Sequence, residues 1–512
     1  MHSSGQSPEV DAFNPSGGPV PVTSLALQSD GKVLVGGWRD GDVGQGSLVR
    51  LNADGTVDNG FNATVGGYGT PLTVYSFCVQ PDGKIVIAGS FTSVDGQSHT
   101  NLARLNPDGT LDMSFYPASA GNPASEEDEW VTSLALQGDG KIVLAGGFRR
   151  LNGQPCGGLG RLNADGTRDT GFNLGDNPGY NGEALAIQAD GKIVVGGSVR
   201  LHPDGTRDNS FNPPEQYYAG AVVVQPDGKI LLAGGASVLR LNPDGTLDPS
   251  FNGPKVEGRT TGAYVRVSSL ALQADGKIVM GGYFYYVAGQ SRTMIARLNP
   301  DGTLDNGFNP GPTDNTVFEL AVQPDGKILA GGWFGILGGQ RRSAIGRFNR
   351  TDTPTESLAL SNDGSTITWL RGGTSPEVSR ASFDFSADGD DWVSAGAGLP
   401  VAGGWRVSGL SVPARARVRA RGFIVGGGAY SSSWFVETIS TPARVAVQVG
   451  GDTLDLSWSM SGSNLDLFST SSLTPPVNWQ PVDSPRGTNG SVIHVSVPCT
   501  SGAAFFQLRP SP

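Results

Sequence analysis

The chain has 512 residues, with 77 glycines, 34 prolines and only 16% charged residues, a composition that favours many short strands joined by tight turns over helices. Its net charge of −11 and its lack of a basic stripe argue against binding to nucleic acid or to an anionic membrane surface. The three cysteines and four histidines show no metal-binding spacing, so we expect no metal and no cofactor.

The first residues are polar, and we expect residues 1–9 to form a disordered tail. This segment lacks the apolar stretch of a signal peptide. No run of about eighteen apolar residues that could span a membrane occurs anywhere, so we expect no membrane insertion. Either the protein is cytosolic or the given start lacks an export signal.

A repeated motif dominates the chain after this tail. Apolar blocks precede and follow each copy of Asp-Gly-Lys, and a segment with the pattern Arg-Leu-Asn-x-Asp-Gly-Thr comes next. Self-similarity at an interval of about fifty residues is typical of propeller blades. The motif begins at Asp30, Asp82, Asp139, Asp190, Asp227, Asp275 and Asp325.

The turn residues predict how the apolar blocks pair. In Gln-Pro-Asp-Gly-Lys and Asn-Pro-Asp-Gly-Thr, the order of Pro, Asp and Gly is that of a three-residue hairpin loop with a left-handed glycine. Each repeat then holds two hairpins, or four antiparallel strands that we name A to D. Seven such repeats predict an all-β fold with a seven-bladed propeller over residues 10–352.

The second hairpin of each blade predicts an ion pair. With a three-residue loop, the arginine of strand C lies opposite an aspartate eight residues later in strand D. The first pair is Arg50 with Asp58, and the same offset recurs in five further blades, up to Arg297 with Asp305. We interpret these pairs as structural, because each arginine has its own acidic partner.

The seventh repeat lacks a strand D of its own, which predicts how the ring closes. The segment Val10 to Asn14 matches the strand D pattern at the other end of the chain. We expect it to pair with Ile345 to Asn349, with Asp11 beside Arg347 and Phe13 in the outer core of blade seven. This arrangement removes the open edge between the first and last blades.

Strand direction divides the loops between two faces. The uniform Asp-Gly turns lie on one face, and the B–C and D–A loops, which differ in length and composition, lie on the other. Binding sites are expected on variable loops over a rigid scaffold. Blades four and five have almost no B–C loop, which predicts a notch in the variable face flanked by Phe148, Phe284 and their loops.

The repeat resembles the delta-60 repeat of bacterial propeller proteins. The resemblance covers about Val10 to Asn349, through the unit Leu-Ala-Leu-Gln-x-Asp-Gly-Lys-Ile-Val-x-Gly-Gly-x-Phe and the Arg-Leu-Asn segment after it. It implies a propeller, commonly in a secreted or cell-surface setting, and it implies no reaction.

The last third of the chain changes character. Residues 353–440 are similar to a fibronectin type III sandwich, although the tyrosine expected in its corner motif is missing near Ala416. Residues 441–512 resemble a second small β-sandwich more weakly. We therefore expect two small C-terminal sandwiches after the propeller.

Catalytic residues are not expected, since no nucleophile, metal-protease or phosphate-loop motif occurs. The Asn-Pro-Asp-Gly-Thr segments could suggest calcium loops, but their spacing fits hairpin turns better. Residues that could contact a ligand or partner come from the acidic loop of blade three, the loops beside the notch and the entrances to strand A. They are Glu126, Glu127, Asp128, Glu129, Trp130, Phe148, Phe284, Glu183 and Glu319.

These features favour a non-enzymatic extracellular or cell-surface binding module that uses its variable face. The alternative is a carbohydrate-active propeller enzyme, either a hydrolase or a lyase. Convergent carboxylates or histidines at the mouth of the variable face would favour the enzyme. We expect a monomer whose partner is a protein or a glycan.

Overall fold

The computed structural model describes most of the propeller and parts of the C-terminal third. The described residues are 8–15, 18–38, 45–67, 72–115, 119–121, 129–174, 184–214, 219–387, 390–413, 416–428, 430–440, 446–450, 453–459, 465–471, 480–482, 484, 486–489, 492–498 and 505–510.

The first four repeats supply seventeen strands. Blade 1 contains β1 (Val22–Leu27), β2 (Val33–Trp38) and β3 (Gln45–Leu51). Blade 2 contains β4 (Val65–Gly66), β5 (Thr73–Val79), β6 (Ile85–Ser90), β7 (Ser93–Val94), β8 (Gln97–Ser98) and β9 (Leu102–Leu105). Blade 3 contains β10 (Val131–Leu136), β11 (Ile142–Gly146), β12 (Arg150–Leu151), β13 (Gln154–Pro155) and β14 (Leu159–Leu162). Blade 4 contains β15 (Leu185–Ile187), β16 (Ile193–Val195) and β17 (Val199–Leu201).

The last three repeats follow the same plan. Blade 5 contains β18 (Ala221–Val224), β19 (Ile230–Gly234) and β20 (Ser237–Leu241). Blade 6 contains β21 (Val256–Glu257), β22 (Arg266–Leu272), β23 (Ile278–Tyr283), β24 (Tyr286–Val287), β25 (Gln290–Ser291) and β26 (Ile295–Leu298). Blade 7 contains β27 (Val317–Val322), β28 (Ile328–Gly332), β29 (Ile336–Leu337), β30 (Gln340–Arg341) and β31 (Ile345–Phe348).

Each repeat folds around a three-stranded antiparallel sheet, and the prediction of an all-β chain with propeller repeats is confirmed. The innermost strands β1, β5, β10, β15, β18, β22 and β27 each contact the next, and β27 also contacts β1. The approach of blade 7 to blade 1 is close, because a Cβ added to Gly331 would lie 2.5 Å from a methyl group of Val22.

The predicted fourth strand is reduced to a short outer segment. In blade 1 it makes a single bridge from Val57 to Leu51, together with the bond from the Asp58 N–H to the Arg50 carbonyl. The chain then turns, because the Asp58 carboxylate accepts the Gly60 N–H and the Asp58 carbonyl accepts the Phe61 N–H. The prediction of four full strands per blade is corrected to three strands and this bridge.

The predicted arginine–aspartate pairs are confirmed. Each belongs to a larger cluster of one arginine, one aspartate and one lysine, which we call the node of its blade. The arginine Nε lies 2.7 or 2.8 Å from the aspartate Oδ2 in all seven blades. The lysine of the Asp-Gly-Lys turn binds the same oxygen at 2.8–3.2 Å. In blade 1 the Lys32 ammonium and the Arg50 guanidinium hold the pKa of Asp58 at about 2.

The same arginine also joins its blade to the next one. Arg104 donates to the Ala164 carbonyl at 2.6 Å and Arg240 to the Pro300 carbonyl at 2.7 Å. Arg347 of blade 7 donates to the Ala53 carbonyl of blade 1 at 2.8 Å, which links the two ends of the repeat array. In every blade the guanidinium lies 4.5–4.7 Å from the centre of a phenylalanine ring.

The N-terminal segment completes blade 7, as predicted. Val10 bridges to Phe348, the Asp11 N–H donates to the Arg347 carbonyl, and the Asp11 carboxylate lies 2.7 Å from the Arg347 Nε. Phe13 is buried, and its ring lies against Gly55 of blade 1. The Glu9 carbonyl accepts the Asn349 N–H. The predicted tail of residues 1–9 is therefore too long, since residue 9 is part of the closure; residues 1–7 lie outside the described part of the chain.

The region after the propeller forms two facing antiparallel sheets. Its strands are β32 (Thr355–Leu360), β33 (Thr366–Gly372), β34 (Arg380–Ser386), β35 (Val393–Ala397), β36 (Leu399–Val401), β37 (Gly404–Ser408), β38 (Arg417–Val425), β39 (Gly427–Gly428) and β40 (Ser433–Ser440). One sheet has the order β32-β33-β37-β36 and the other contains β35-β34-β38-β40. Trp369, Phe383 and Trp405 fill the core between them. The relation of this two-sheet region to fibronectin type III domains stays a prediction.

The last seventy residues supply two further sheets. Their strands are β41 (Ala446–Gly450), β42 (Thr453–Ser459), β43 (Leu465–Thr470), β44 (Gln480–Pro481), β45 (Arg486–Asn489), β46 (Val492–Pro498) and β47 (Phe505–Pro510). The sheet orders are β41-β42-β46-β45 and β44-β43-β47. Leu456, Leu467 and Val495 are buried together. Within the described residues, no helix is long and apolar enough to cross a membrane.

Removing one arginine of the repeated node should destabilise the propeller. Arg240 and Asp248 are both buried, so Arg240→Ala leaves Asp248 without its guanidinium partner and breaks the link to blade 6. We expect a loss of about 3 kcal/mol in the free energy of unfolding, measured by chemical denaturation. The control Arg207→Ala removes an exposed arginine and should cost less than about 0.5 kcal/mol. Equal effects of the two substitutions would contradict the role of the node.

Loss of the N-terminal segment should open the ring. Phe13→Ala leaves a cavity in the outer core of blade 7, and we expect a cost of about 3–5 kcal/mol. Deleting residues 1–14 should lower the melting temperature further and increase light scattering, because the strand β31 becomes an unpaired edge. Ala12→Ser, an exposed position in the same segment, is the matched control. A deletion variant that melts at the wild-type temperature would overturn this account of closure.

Candidate functional site

The propeller has two faces of different character. The turn face carries the Asp-Gly turns that end every strand A and strand C. The variable face carries the B–C and D–A loops. The short connections predicted for blades 4 and 5 are confirmed: residues 196–198 join β16 to β17, and residues 235–236 join β19 to β20. Gly197 has a φ of +73° and Gly235 a φ of +53°, values that favour glycine at these tight turns.

The C-terminal sandwich packs against the turn face. Pro376 bridges to Gln273, and the Glu377 N–H donates to the Leu272 carbonyl at 3.0 Å, both at the turn-face end of β22. The Arg380 guanidinium donates to the Leu136 carbonyl at the corresponding end of β10. The sandwich is thereby fixed to blades 3 and 6 from the side opposite the variable loops.

A loop of the sandwich enters the centre of the propeller from that side. We call residues 426–428 and 430–433, which follow β38 and end at the first residue of β40, the channel loop. Together β38, β39 and β40 contact all seven innermost strands. β39 pairs with β22 through Gly427 opposite Leu270, and β40 runs parallel to β5 with Ser433 opposite Cys78.

Serine residues fasten the channel loop to blades 2 and 3. The Ser76 hydroxyl donates to the Ser431 carbonyl at 2.6 Å, and the Leu134 N–H donates to the same carbonyl at 3.0 Å. The Phe77 N–H donates to the Ser432 hydroxyl at 3.2 Å. Since strand backbone groups on both sides of the channel are bonded to the loop, the loop extends the propeller core.

Glycines let the channel loop come this close. A Cβ on Gly427 would lie 2.3 Å from the Leu270 carbonyl oxygen, and a Cβ on Gly428 would lie 2.2 Å from an oxygen of Glu319. Neither space can hold a side chain without a shift of the surrounding structure. These contacts join two domains, so they could not be predicted from the sequence of either domain alone.

Glu319 lies beneath this loop and is fully buried. Among the described residues, neither of its carboxylate oxygens has a partner in good hydrogen-bonding geometry. Burial raises the pKa of Glu319 well above its usual range, although the Leu320 N–H and the Ser269 hydroxyl partly oppose this shift. Glu377 is a second acid at the domain interface, and burial raises its pKa to about 7.

Several predicted contact residues are not on an accessible surface. Glu319 is covered by the channel loop, and Phe148 and Phe284 are buried in the hydrophobic core. The expectation that these three side chains face a partner is corrected. For the two phenylalanines the reason is local, because small hairpins (β12–β13 and β24–β25) follow them and fold back over the blade.

The acidic loop of blade 3 is described only at its end. The Trp130 side chain is 37% exposed on the variable face, and the Glu129 carboxylate accepts the Arg149 N–H at 3.2 Å. Four further predicted contact residues, three from this loop and one from the entrance to strand A of blade 4, lie outside the described part of the chain. They are Glu126, Glu127, Asp128 and Glu183.

Aromatic side chains that the sequence analysis missed surround the mouth of the channel on the variable face. Tyr430, at the tip of the channel loop, stacks on Tyr75 of blade 2 with ring centres 4.8 Å apart. Trp38 and Trp333 meet edge to face at 6.4 Å between blades 1 and 7, and the Trp333 residue is 52% exposed. The variable face therefore presents rings to solvent from several blades.

Blade 6 contributes the densest group of tyrosines. Tyr283 lies 6.4 Å from Tyr264 and 5.8 Å from Tyr285, measured between ring centres. A pocket of 250 Å³ opens beside them. It is lined by Tyr264, Arg266, Ser268, Tyr283, Thr316 and Phe318. The described residues contain no group of three or more His, Cys, Asp or Glu side chains that could hold a metal ion.

Comparison with known families identifies the repeat. Seven segments match the family described as "Domain of unknown function (DUF5122) beta-propeller": residues 28–61, 80–115, 137–172, 188–211, 225–251, 273–308 and 323–354. Each segment begins at the Asp-Gly-Lys turn of one blade, and the predicted membership in a family of propeller repeats is confirmed. No curated protein is similar enough in sequence to count as a relative.

Two solved structures share a limited likeness with the chain. One is the extracellular domain of a protein described as a hybrid two-component system from B. thetaiotaomicron, with 10% identity and a TM-score of 0.41. The match covers 81% of this chain, which spans 55% of the length of that structure. The other, described as a gluconolactonase, has 15% identity and a TM-score of 0.29, over 67% of this chain and 91% of its own.

Glu319 should make the stability of the assembled domains depend on pH. Because its pKa is raised in the folded state, the protonated form fits the interface, and stability should fall as the pH rises above the ordinary range of a glutamate. Glu319→Gln cannot ionise. At pH 8.5 we expect this variant to exceed the wild type in unfolding free energy by about 1 kcal/mol or more, and at pH 4.5 the gain should vanish. Parallel pH profiles in thermal unfolding experiments would contradict the prediction.

Proposed function

We propose that this chain, whose first two thirds carry repeats of the DUF5122 β-propeller family, is a non-enzymatic extracellular or cell-surface binding module. Its partner, a protein or a glycan, binds to the variable face of the propeller. The extracellular setting is what the resemblance to delta-60 repeats implies, and we propose that the chain acts as a monomer.

The position of the C-terminal sandwich supports this choice of face. The sandwich lies against the turn face, and its channel loop fills the centre of the propeller from that side. A ligand that approaches the variable face meets the mouth of the channel, where Tyr430 and Tyr75 are stacked. The surface left for a partner is therefore the mouth and the loops around it.

The main support for the proposal is the exposure of large aromatic side chains on the variable face. Tyr264 is 69% exposed, Trp333 is 52% exposed and Tyr286 is 39% exposed. Aromatic residues are enriched at binding hot spots because they bury a large area with few rotatable bonds. Their spread over blades 6 and 7 suits a partner that lies across the face.

A carbohydrate-active enzyme was the alternative, and it required carboxylates that converge at the mouth. Of the two glutamates predicted at the entrances to strand A, Glu319 is enclosed beneath the channel loop, and Glu183 lies outside the described residues. The aromatic surface therefore favours binding as the proposed function.

Binding to immobilised polysaccharides and to a glycan array, alongside protein pull-down, tests the proposal. A variant with Trp333→Ala and Tyr286→Ala should lose affinity about tenfold or more for the partner that the wild type retains. The matched control replaces two exposed apolar residues of the C–D hairpins near the turn face, Met113→Ala and Leu247→Ala. It should bind as the wild type does.

Two results would contradict the proposal. One is a loss of binding in the C–D hairpin control with full binding in the variable-face variant. The other is release of reducing ends or unsaturated sugars from a bound polysaccharide, which would identify the chain as a hydrolase or lyase.

A further inference from the structure

The pocket of blade 6 has a size and a position that suit one ring-shaped group. We call it the tyrosine pocket; it is the 250 Å³ cavity lined by Tyr264, Arg266, Ser268, Tyr283, Thr316 and Phe318. Pockets that enclose drug-sized ligands measure about 300–1,000 Å³, so this one is large enough for a smaller unit. It lies where strands β22 and β27 begin, beside the channel mouth on the variable face.

Its walls combine ring faces with hydroxyl groups. Tyr264 and Tyr283 are tilted at 34° to each other, and Tyr283 meets Tyr285 at 85°. The face of an aromatic ring carries partial negative charge and attracts weakly positive C–H groups. The hydroxyls of Ser268, Thr316 and the tyrosines can both donate and accept hydrogen bonds. Such walls match a pyranose, which has apolar C–H faces and a rim of hydroxyls.

Positive charge is concentrated at the same place in an acidic protein. Arg259 lies over the Tyr285 ring, 4.4 Å from its centre. Arg266 lines the pocket, and its charge opposes the effect of burial, which raises the pKa of Tyr430. Within the described part of the chain, neither arginine has a carboxylate within 4.0 Å, whereas each node arginine of the blades has its own aspartate.

We propose that the tyrosine pocket binds a uronic acid residue of an acidic polysaccharide. The pyranose ring packs against Tyr264 and Tyr283, and its carboxylate pairs with Arg266. Guanidinium groups are suited to carboxylates because their planar donors can bind both oxygens. The proposal rests on the proposed function, since it names the partner class for one part of the variable face.

Titration calorimetry with a purified oligogalacturonate tests this assignment. The wild type should bind it, and the affinity should fall as salt is added, because the contact with Arg266 is ionic. Arg266→Ala should weaken binding about tenfold or more, and Arg266→Lys should restore part of it. Tyr264→Ala should also weaken binding. Leu247→Ala, an exposed position of a C–D hairpin away from the variable face, should leave it unchanged.

Two further ligands complete the test. A neutral oligogalactose of the same length should bind at least about tenfold more weakly than the uronate. A polyglutamate peptide should not compete with it, because a peptide carboxylate brings no pyranose ring. Equal binding of the neutral sugar, competition by the peptide, or normal uronate affinity in Arg266→Ala would overturn the proposal.

The outcome separates this inference from the proposed function. If a neutral glycan or a protein binds and the Trp333→Ala, Tyr286→Ala variant loses that binding, the variable face remains the binding surface and only the uronate assignment fails. Melting temperatures of the pocket variants should equal that of the wild type, since among the described residues the Arg266 side chain has no ion-pair partner whose loss would destabilise the fold.

Discussion

The propeller depends on one arginine in each blade, which makes three kinds of contact at once. In blade 5, Arg240 pairs with Asp248, lies against the Phe251 ring and donates to the Pro300 carbonyl of blade 6. The pair fixes the outer segment of its own blade, and the carbonyl contact fixes the angle to the next. Because the guanidinium is planar, paired with a carboxylate and hydrogen-bonded to a carbonyl, it can be buried where a lone charge could not. The node of blade 7 closes the ring. Its Arg347 donates to the Asp11 carboxylate of the N-terminal segment and to the Ala53 carbonyl of blade 1.

The innermost strands surround a central channel, and this chain fills it with a loop of its own second domain. In the innermost strand of blade 2, the Ser76 hydroxyl donates to the Ser431 carbonyl of the channel loop, and the Phe77 N–H donates to the Ser432 hydroxyl of that loop. The glycines at 426–428 remove the side chains that would block this approach. This arrangement affects which face can bind a partner. Because the sandwich occupies the turn face, the aromatic variable face is the surface on which a partner can bind.

The sequence was sufficient for features that repeat or that are local. The residues of the hairpin turns predicted the register in which Arg50 lies opposite Asp58. The absence of a strand D in the last repeat predicted the pairing of Asp11 with Arg347. It was insufficient where a side chain's environment comes from distant segments. Glu319 was taken for a mouth residue because its strand position faces the channel, but the loop that covers it lies about a hundred residues further along the chain. The tyrosine pocket was missed for the same reason, since Tyr264 and Phe318 meet only after two blades have packed.

Hydrogen exchange of the backbone amides in the channel loop tests the central claim most directly. An amide that is hydrogen-bonded in the core exchanges only when that region opens. In the intact chain, amides of residues 426–428 and 430–433 should exchange as slowly as those of β5, and far more slowly than those of the exposed hairpin β24–β25. Exchange of this loop at the rate of the exposed hairpin would show that the channel is open and would contradict the account.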